Sequence, residues 1–137
     1  MREAILPYGD DACLNRPAGA ARFLWTHLFR DEPREVLAVV FLNTRNRATG
    51  HMIAFTGTLD RTAAEPRHVL AAALVHNAAG IVVAHNHPSG DPTPSPEDLL
   101  FTERMGAACR IVGVRLVDHL ILGAGERWTS LLRKATW

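Results

Sequence analysis

The chain has 137 residues, the length of one domain, and its formal net charge of +1 gives no electrostatic basis for binding nucleic acid. Hydrophobic residues make up 47% and charged residues 21%, which excludes a disordered chain. No apolar run approaches the ~20 residues needed to cross a bilayer, and the N-terminus has no signal-peptide core, so we expect a cytoplasmic protein. Cys13 and Cys109 lie outside any C-x-x-C pattern and are expected to be free thiols.

Hydrophobic periodicity and turn residues predict helices and strands along most of the chain. The predicted helices span 18–29, 69–79 and 96–112. The predicted strands span 35–42, 51–58, 79–84, 114–122 and 127–131, and residues 1–16 are interpreted as an irregular lead-in. A hairpin of strands followed by strands that alternate with helices is typical of a mixed α/β sheet flanked by helices.

Two histidines, His85 and His87, follow the buried apolar run 79–84. On an extended backbone, alternate side chains point to the same face, so we expect the two imidazoles to emerge side by side. A loop rich in proline, glycine and serine then leads to Asp98, near the start of a predicted helix. Two imidazoles and one carboxylate, with a fourth position left open, are typical of a catalytic zinc site.

Asp98 also has an interpretation that needs no metal. The string Ser95-Pro96-Glu97-Asp98 has the form of a capping box, with Ser95 as the N-cap and Pro96 as the first helical residue. In a capping box, the third helical residue reaches back to the N-cap amide. Capping alone would therefore explain both Ser95 and Asp98, and the residues by themselves leave both interpretations open.

The order of these residues resembles a known family. His85-x-His87-Pro88, with Ser95 eight residues after the second histidine and Asp98 three later, is similar to the JAMM (MPN+) metalloprotease motif. The longer string His85-Asn86-His87-Pro88-Ser89-Gly90 resembles the RadC branch of the JAB family. Four further strings resemble that branch in the same order: Phe41-Leu42-Asn43-Thr44-Arg45-Asn46-Arg47, Gly57-Thr58-Leu59, Pro66-Arg67 and Asp118-His119-Leu120-Ile121. We therefore assign 1–31 to a lead-in with a helix and 32–137 to a RadC-like JAB domain.

The resemblance implies a JAB/MPN-like (cytidine-deaminase-like) fold and a zinc hydrolase. It implies Zn²⁺ held by His85, His87 and Asp98, with Glu35 at the start of an early strand as the general base. It also implies that Ser95 donates a hydrogen bond to the oxyanion, which is compatible with capping if its hydrogen points at substrate. The expected substrate is a peptide or an isopeptide-linked protein.

Other interpretations remain for the acids near the N-terminal strand. Glu35 can instead be a solvent-facing acid at the end of the strand, paired with Arg34. Glu32 is a neighbouring candidate for the base and Glu65 a more remote one. Only geometry decides which carboxylate reaches the site.

Asp118 and His119 are adjacent in a predicted strand, so they are expected to face opposite sides of the sheet. We expect one of them to lie beside the site as a hydrogen-bond partner for a ligating imidazole, and the other to face away. A structural hydrogen-bonding role is favoured over direct ligation.

Functions of two other classes stay open. The RadC resemblance also allows a protein associated with nucleic acid or DNA repair, although residues 1–31 are too short and too weakly patterned to supply the helix-hairpin-helix segment of the full RadC pattern. A metal-containing binding module without turnover is the other alternative. Sets of two histidines and a carboxylate also accept iron and other divalent metals, so zinc is an expectation.

Overall fold

The described strands form a six-stranded sheet, and helices cover both of its faces. A computed structural model describes residues 2–4, 8, 12–57, 65–133 and 137. The strands are β1 (Arg2–Ala4), β2 (Val36–Leu42), β3 (Ala48–Thr56), β4 (Gly80–Asn86), β5 (Arg115–Leu122) and β6 (Trp128–Ser130). The helices are α1 (Pro17–Leu24), α2 (Pro66–Val75) and α3 (Pro96–Val112), and α1 continues as a π-helix over Trp25–Phe29.

β2 and β4 lie at the centre of the sheet, whose strand order is β1-β3-β2-β4-β5-β6. β4 and β5 run parallel, and the other described pairs are antiparallel. Every residue of β2 and β4 is buried, because protein covers both faces of the sheet. This explains why both strands are dominated by apolar residues rather than alternating with polar ones. The predicted mixed α/β sheet flanked by helices is confirmed.

The two faces of the sheet bury separate apolar clusters. On one face, even-numbered residues of β2 such as Val36 pack with Phe23 of α1. On the other face, odd-numbered residues such as Leu37 pack with Val69 of α2 and Met105 of α3. The candidate site lies on the second face. Because α1 packs on the same sheet as the later elements, it shares their core, and the boundary between residues 31 and 32 stays a prediction.

Most predicted elements are observed with shifts at their ends. α3 has the predicted bounds, and Gly113 ends it in the left-handed region at a φ of 78°. α2 ends at Val75 instead of residue 79, because Asn77 adopts a φ of 53° and closes a Schellman motif. The second strand begins at Ala48, three residues before the prediction, and its predicted end at residue 58 lies outside the described residues.

The irregular lead-in predicted for residues 1–16 is wrong at its start. β1 pairs with β3 at the edge of the sheet, with Glu3 opposite Met52. A three-residue edge strand is too short to show a hydrophobic period, and its backbone pairing is what holds it in place. Residues 5–7 and 9–11 lie outside the described part of the chain.

Two expectations from composition can be compared with the structure. Cys13 and Cys109 are free thiols, the first exposed and the second buried in α3. Among the helices within the described ranges, none is long and apolar enough to span a membrane.

The loop after β4 packs against the turn between β5 and β6. The Gly90 carbonyl oxygen accepts hydrogen bonds from the Ala124 amide at 2.9 Å and from the Arg127 guanidinium at 2.6 Å. The two segments approach so closely that a Cβ on Gly123 would collide with the Gly90 carbonyl. Gly90 itself has a φ of 90°, which residues with a side chain rarely adopt. The loop that joins His87 to α3 is therefore held at its middle.

We expect Gly123→Ala to lower the free energy of unfolding by about 1–3 kcal/mol, because the added methyl group must push the loop away from the turn. Urea unfolding followed by circular dichroism measures the difference. Gly19→Ala in α1 is the matched control, since a Cβ there meets nothing within 4 Å and alanine is the better helix former. A Gly123→Ala protein as stable as the Gly19→Ala protein would contradict the close packing.

Candidate metal centre

β4 and the residue that follows it place two imidazoles on the sheet face that α2 and α3 cover. His85 shares its side of the strand with Val83 of the apolar cluster. His87 follows directly after the strand, and its backbone amide donates to the Leu122 carbonyl of β5 at 3.0 Å, which continues the extended path. The Nε2 atoms of His85 and His87 are 3.1 Å apart. The predicted side-by-side placement is confirmed.

Asp98 brings a carboxylate to both imidazoles from the first turn of α3. Its Oδ1 is 3.1 Å from His85 Nε2, and its Oδ2 is 3.1 Å from His87 Nε2. The same carboxylate accepts the Ser95 amide at 2.8 Å, and Ser95 Oγ accepts the Asp98 amide at 3.1 Å, which completes the predicted capping box. Capping and the approach to the histidines therefore occur together, and the cap holds the carboxylate in position.

The three side chains have the spacing of a metal site. One ligand atom from each of His85, His87 and Asp98 can be chosen so that all three lie within 4.8 Å of one another. Ligands at 2.0–2.1 Å from a tetrahedral zinc ion are separated by ~3.3–3.4 Å, and the 3.1 Å separations observed here are close to that value. Two imidazoles and a carboxylate are also a donor set that suits zinc. The cluster can therefore hold a metal ion.

A chain of buried hydrogen bonds orients the ring of His85. His85 Nδ1 is 2.8 Å from His119 Nε2, and His119 Nδ1 is 2.6 Å from Thr102 Oγ1. Because Thr102 donates its hydroxyl hydrogen to the Asp98 carbonyl at 2.8 Å, it accepts from His119 Nδ1–H. His119 Nε2 then accepts from His85 Nδ1–H, which leaves the lone pair of His85 on Nε2, facing the cluster. The chain thus links the backbone of one candidate ligand to the ring of another.

The loop orients the ring of His87 in the same sense. His87 Nδ1–H donates to the Asp91 carbonyl at 2.9 Å, so its lone pair also lies on Nε2. Ser89 Oγ accepts the Asp91 amide at 3.3 Å and shapes this loop. Both imidazoles therefore present Nε2 to the cluster.

Burial and hydrogen bonding keep His119 neutral and Asp98 ionised. Burial is the main cause that lowers the pKa of His119 to about 3, so His119 stays neutral and can accept a hydrogen bond. Burial by itself raises the pKa of Asp98, but its contact with the His85 ring and its hydrogen bonds with Ser95 outweigh that effect and hold the pKa below its usual range. The Asp98 carboxylate is therefore ionised.

Asp118, the neighbour of His119, faces the other side of the sheet. It is fully buried and accepts hydrogen bonds from Ser130 Oγ at 2.6 Å and from the Leu132 amide at 3.1 Å. These bonds tie β5 to β6 and to the segment after it. The prediction that one residue of the pair lies beside the site and the other faces away is confirmed.

Glu35 lines a cleft next to the cluster. The cleft has a volume of about 260 Å³, and Glu35, His85 and Asp98 are among its lining residues. Glu35 is half-buried and comes two residues before Leu37, which lies opposite His85 in the pairing of β2 with β4. Glu35 and Leu37 therefore share the face that carries the cluster. Its role as a base stays a prediction.

The rival acids have other partners. Glu32 binds Arg34 through a hydrogen bond of 2.9 Å from the guanidinium. Glu65 does line the cleft, but it binds Arg104 at 3.1 Å. Glu35 and Glu65 both line the cleft, whereas Glu32 is not among its lining residues.

Two features of the site were not expected from the residue pattern. Thr102 was missed, although it follows Asp98 by four residues, a spacing that places both side chains on one face of a helix. The apolar wall of the cleft was missed as well: Phe55 comes from β3, and Leu100 and Phe101 come from α3. Only the packing of α3 on the sheet brings these residues together, so no local signal could have shown the wall.

The fold and the cluster define an α/β domain with a candidate metal centre between the end of a central strand and the start of a helix. The family model of the RadC-like JAB domain matches residues 14–136, almost the whole chain. The chain therefore belongs to the RadC-like JAB domain family, and its His-His-Asp cluster fits a metal site of the JAMM type.

Curated relatives are similar to this chain over most of its length. A UPF0758 protein of Pseudomonas syringae pv. tomato is 42% identical over 116 residues, which are 85% of this chain and 51% of the relative. A UPF0758 protein of Xanthomonas campestris pv. campestris is 44% identical over 113 residues, 82% of this chain and 50% of the relative. A UPF0758 protein of Xylella fastidiosa is 43% identical over 114 residues, which are 83% of this chain and 50% of the relative. The chain spans about half the length of these relatives.

We expect Thr102→Val to weaken zinc binding by about 10- to 100-fold, because it removes the group that fixes the tautomer of His119 and, through it, the ring of His85. Competition with a chromophoric chelator measures the zinc affinity. His87→Ala, which loses a candidate ligand, gives the lowest zinc affinity expected in this comparison.

Thr49→Val is the matched control for Thr102→Val. The Thr49 hydroxyl donates to the Phe41 carbonyl at 3.4 Å, near the end of β2 opposite to Glu35. This variant should bind zinc like the wild type. If Thr102→Val also bound zinc with wild-type affinity, the buried chain would have no part in holding the ligand.

Proposed function

We propose that this protein is a zinc-dependent hydrolase of amide or isopeptide bonds. The observation that carries the proposal is the convergence of His85, His87 and Asp98 beside the cleft that Glu35 lines. A candidate metal site and a carboxylate that can move a proton thus share one cleft, as metal-assisted hydrolysis requires. The match to the RadC-like JAB family supports the same type of reaction.

His85 and His87 would hold zinc through Nε2, and Asp98 through its carboxylate. Three protein ligands leave one position open, which is typical of catalytic rather than structural zinc. When bound, zinc supplies Lewis acidity that lowers the pKa of water toward ~7 and polarises a carbonyl group. The capping box and the buried hydrogen-bond chain hold the three ligands in place before the ion arrives.

Glu35 acts first as the general base and then as the general acid. Its carboxylate takes a proton from the attacking water and passes it to the leaving nitrogen, so that the product departs as a neutral amine. The position of Glu35 in the cleft supports this role. Glu65 also lines the cleft, where its carboxylate accepts a hydrogen bond from the Arg104 guanidinium at 3.1 Å.

Ser95 stabilises the oxyanion that forms on the scissile carbonyl. Its Oγ accepts the Asp98 amide, so the hydroxyl hydrogen can point toward a substrate held beside the Asp98 carboxylate. Capping and oxyanion stabilisation therefore use different parts of one hydroxyl group.

The wall of the cleft favours a particular substrate class. Leu37, Phe55, Leu100 and Phe101 line the cleft beside the proposed reacting groups. Apolar side chains in a cleft that also carries polar and charged groups are typical of a site that binds an apolar side chain and orients one polar bond. The substrate is therefore a peptide or an isopeptide-linked protein with an apolar residue next to the scissile bond.

Zinc-loaded Glu35→Gln is expected to keep its zinc and to lose about 10²–10⁴-fold in turnover, because an amide cannot accept the proton. The substrates are a panel of amides, isopeptides and peptide tails with apolar or acidic residues at the scissile bond, and product is measured by mass spectrometry. Glu65→Gln is the matched control and should stay within a few-fold of wild type.

Each result of this comparison has a separate meaning. Equal turnover by wild type and Glu35→Gln would show that Glu35 is not the base. A zinc-loaded wild type that leaves the whole panel intact would exclude the hydrolase and favour a binding module.

Ser95→Ala is expected to lose about 10²–10³-fold in turnover through the missing oxyanion donor and about 1 kcal/mol of stability through the missing cap. Ser95→Gly separates the two roles, because glycine is a better N-cap than alanine but has no hydroxyl group. Thermal unfolding should show that Ser95→Gly regains stability, while its turnover stays as low as that of Ser95→Ala. Recovery of turnover together with stability would leave Ser95 as a helix cap only.

A further inference from the structure

Asn86, which lies between the two histidines in the chain, binds the backbone of the neighbouring strand. Its Oδ1 accepts the Val36 amide at 2.8 Å, and its Nδ2 donates to the Arg34 carbonyl at 2.9 Å. These two backbone groups stand on either side of Glu35. We infer that Asn86 is a positioning residue for Glu35, an inference that rests on the proposed function, in which Glu35 is the base.

The side chain of Asn86 takes the place of backbone pairing at the point where the pairing of β2 with β4 ends. The backbone pairing of β2 with β4 ends at Leu37, opposite His85. Beyond this point the chain continues its pairing with β5, through the bond from the His87 amide to the Leu122 carbonyl. A side-chain amide carries one carbonyl and one N–H group, so it can satisfy the strand's donor and acceptor as a peptide unit would. Without it, the buried Val36 amide would lose its hydrogen bond to β4.

Asn86 acts from the side of the sheet that faces away from the cluster. Adjacent residues of a strand point to opposite faces, so the Asn86 side chain lies opposite to those of His85 and His87. It is buried, with 9% of its surface exposed. Its influence on the cleft therefore passes through the backbone at residues 34–36 and not through contact with the metal ligands.

A second bond holds the same short segment from the other neighbouring strand. The Gly57 amide donates to the Glu35 carbonyl at 2.6 Å, next to the end of β3. With Asn86 on one side and Gly57 on the other, three consecutive residues are held at the point where β2 begins. The direction of the Glu35 side chain follows from that backbone, and a displacement of about 1 Å in a catalytic group can cost ~10²-fold in rate.

The test compares kcat and KM of the zinc-loaded full chain on its best substrate from the panel. Asn86→Ala should lower kcat by about 10- to 100-fold, with KM and zinc content close to wild type, because binding and metal ligation are untouched. The double variant Glu35→Gln, Asn86→Ala should be no slower than Glu35→Gln alone, since a residue that acts only by placing Glu35 has nothing left to place.

Asn43→Ala is the matched control. Asn43 Oδ1 also accepts two backbone amides, those of Arg45 at 2.9 Å and Arg47 at 3.0 Å, at the other end of β2. This variant loses the same number of side-chain-to-backbone bonds but should keep wild-type kcat. A loss of kcat in Asn43→Ala equal to that in Asn86→Ala would reduce the effect to general destabilisation and overturn the inference.

The outcomes separate this inference from the proposed function. Wild-type kcat in Asn86→Ala, or further loss in the double variant, overturns the positioning role while the hydrolase stands. A wild type that cleaves nothing overturns both.

If Asn86→Ala fails to fold, Asn86→Leu takes its place, because leucine has nearly the same shape and suits a buried strand. Faster hydrogen exchange of the Val36 amide in that variant, together with reduced kcat, supports the positioning role of Asn86. Unchanged exchange and unchanged kcat overturn it.

Discussion

The candidate centre depends on the pairing of β4, which lies between β2 and β5. Antiparallel pairing with β2 sets His85 opposite Leu37 and so brings Glu35 to the same cleft. Parallel pairing with β5 sets His85 opposite Ile121. His119 precedes Ile121 by two residues, so its ring lies on the same face and contacts the ring of His85. A slip of one residue would turn both histidines to the other face of the sheet. Because both faces of β4 are buried, such a slip would also place polar groups in an apolar cluster, and the register is strongly determined.

Asp98 joins the start of a helix to the candidate metal site. A carboxylate at a helix N-terminus is favoured by the helix dipole and by the exposed backbone amides, so the first turn of α3 stabilises the ionised form. An ionised carboxylate has about four lone-pair positions. That number suffices for the Ser95 amide and for two directions toward His85 and His87. Helix capping and metal ligation are therefore compatible uses of the same group, and the first prepares the second.

Two sets of hydrogen bonds hold groups of the candidate site, one through a side-chain ring and the other through the backbone. On the helix side, Thr102 and His119 fix a ring orientation through side-chain hydrogen bonds, in a buried setting where an unpaired group is costly. On the far side of the sheet, Asn86 fixes a backbone segment and thereby the direction of Glu35. Membership of the RadC-like JAB family supports the proposed type of reaction, and these contacts support the proposed roles of individual residues in this chain.

The helices and strands that carry the site could be predicted from the sequence, because local rules govern them, and the resemblance to the JAMM motif added the set of three candidate ligands. Alternation along a strand predicts that His85 and His87 share a face, and the cap spacing predicts where α3 begins. The sequence left open whether Asp118 or His119 lies beside the cluster, and it did not indicate that Asn86 binds β2. These points depend on the folded arrangement, because the face and the partner of a side chain depend on which strands pair and in which register. The residues involved are 34 to 52 positions apart in the chain.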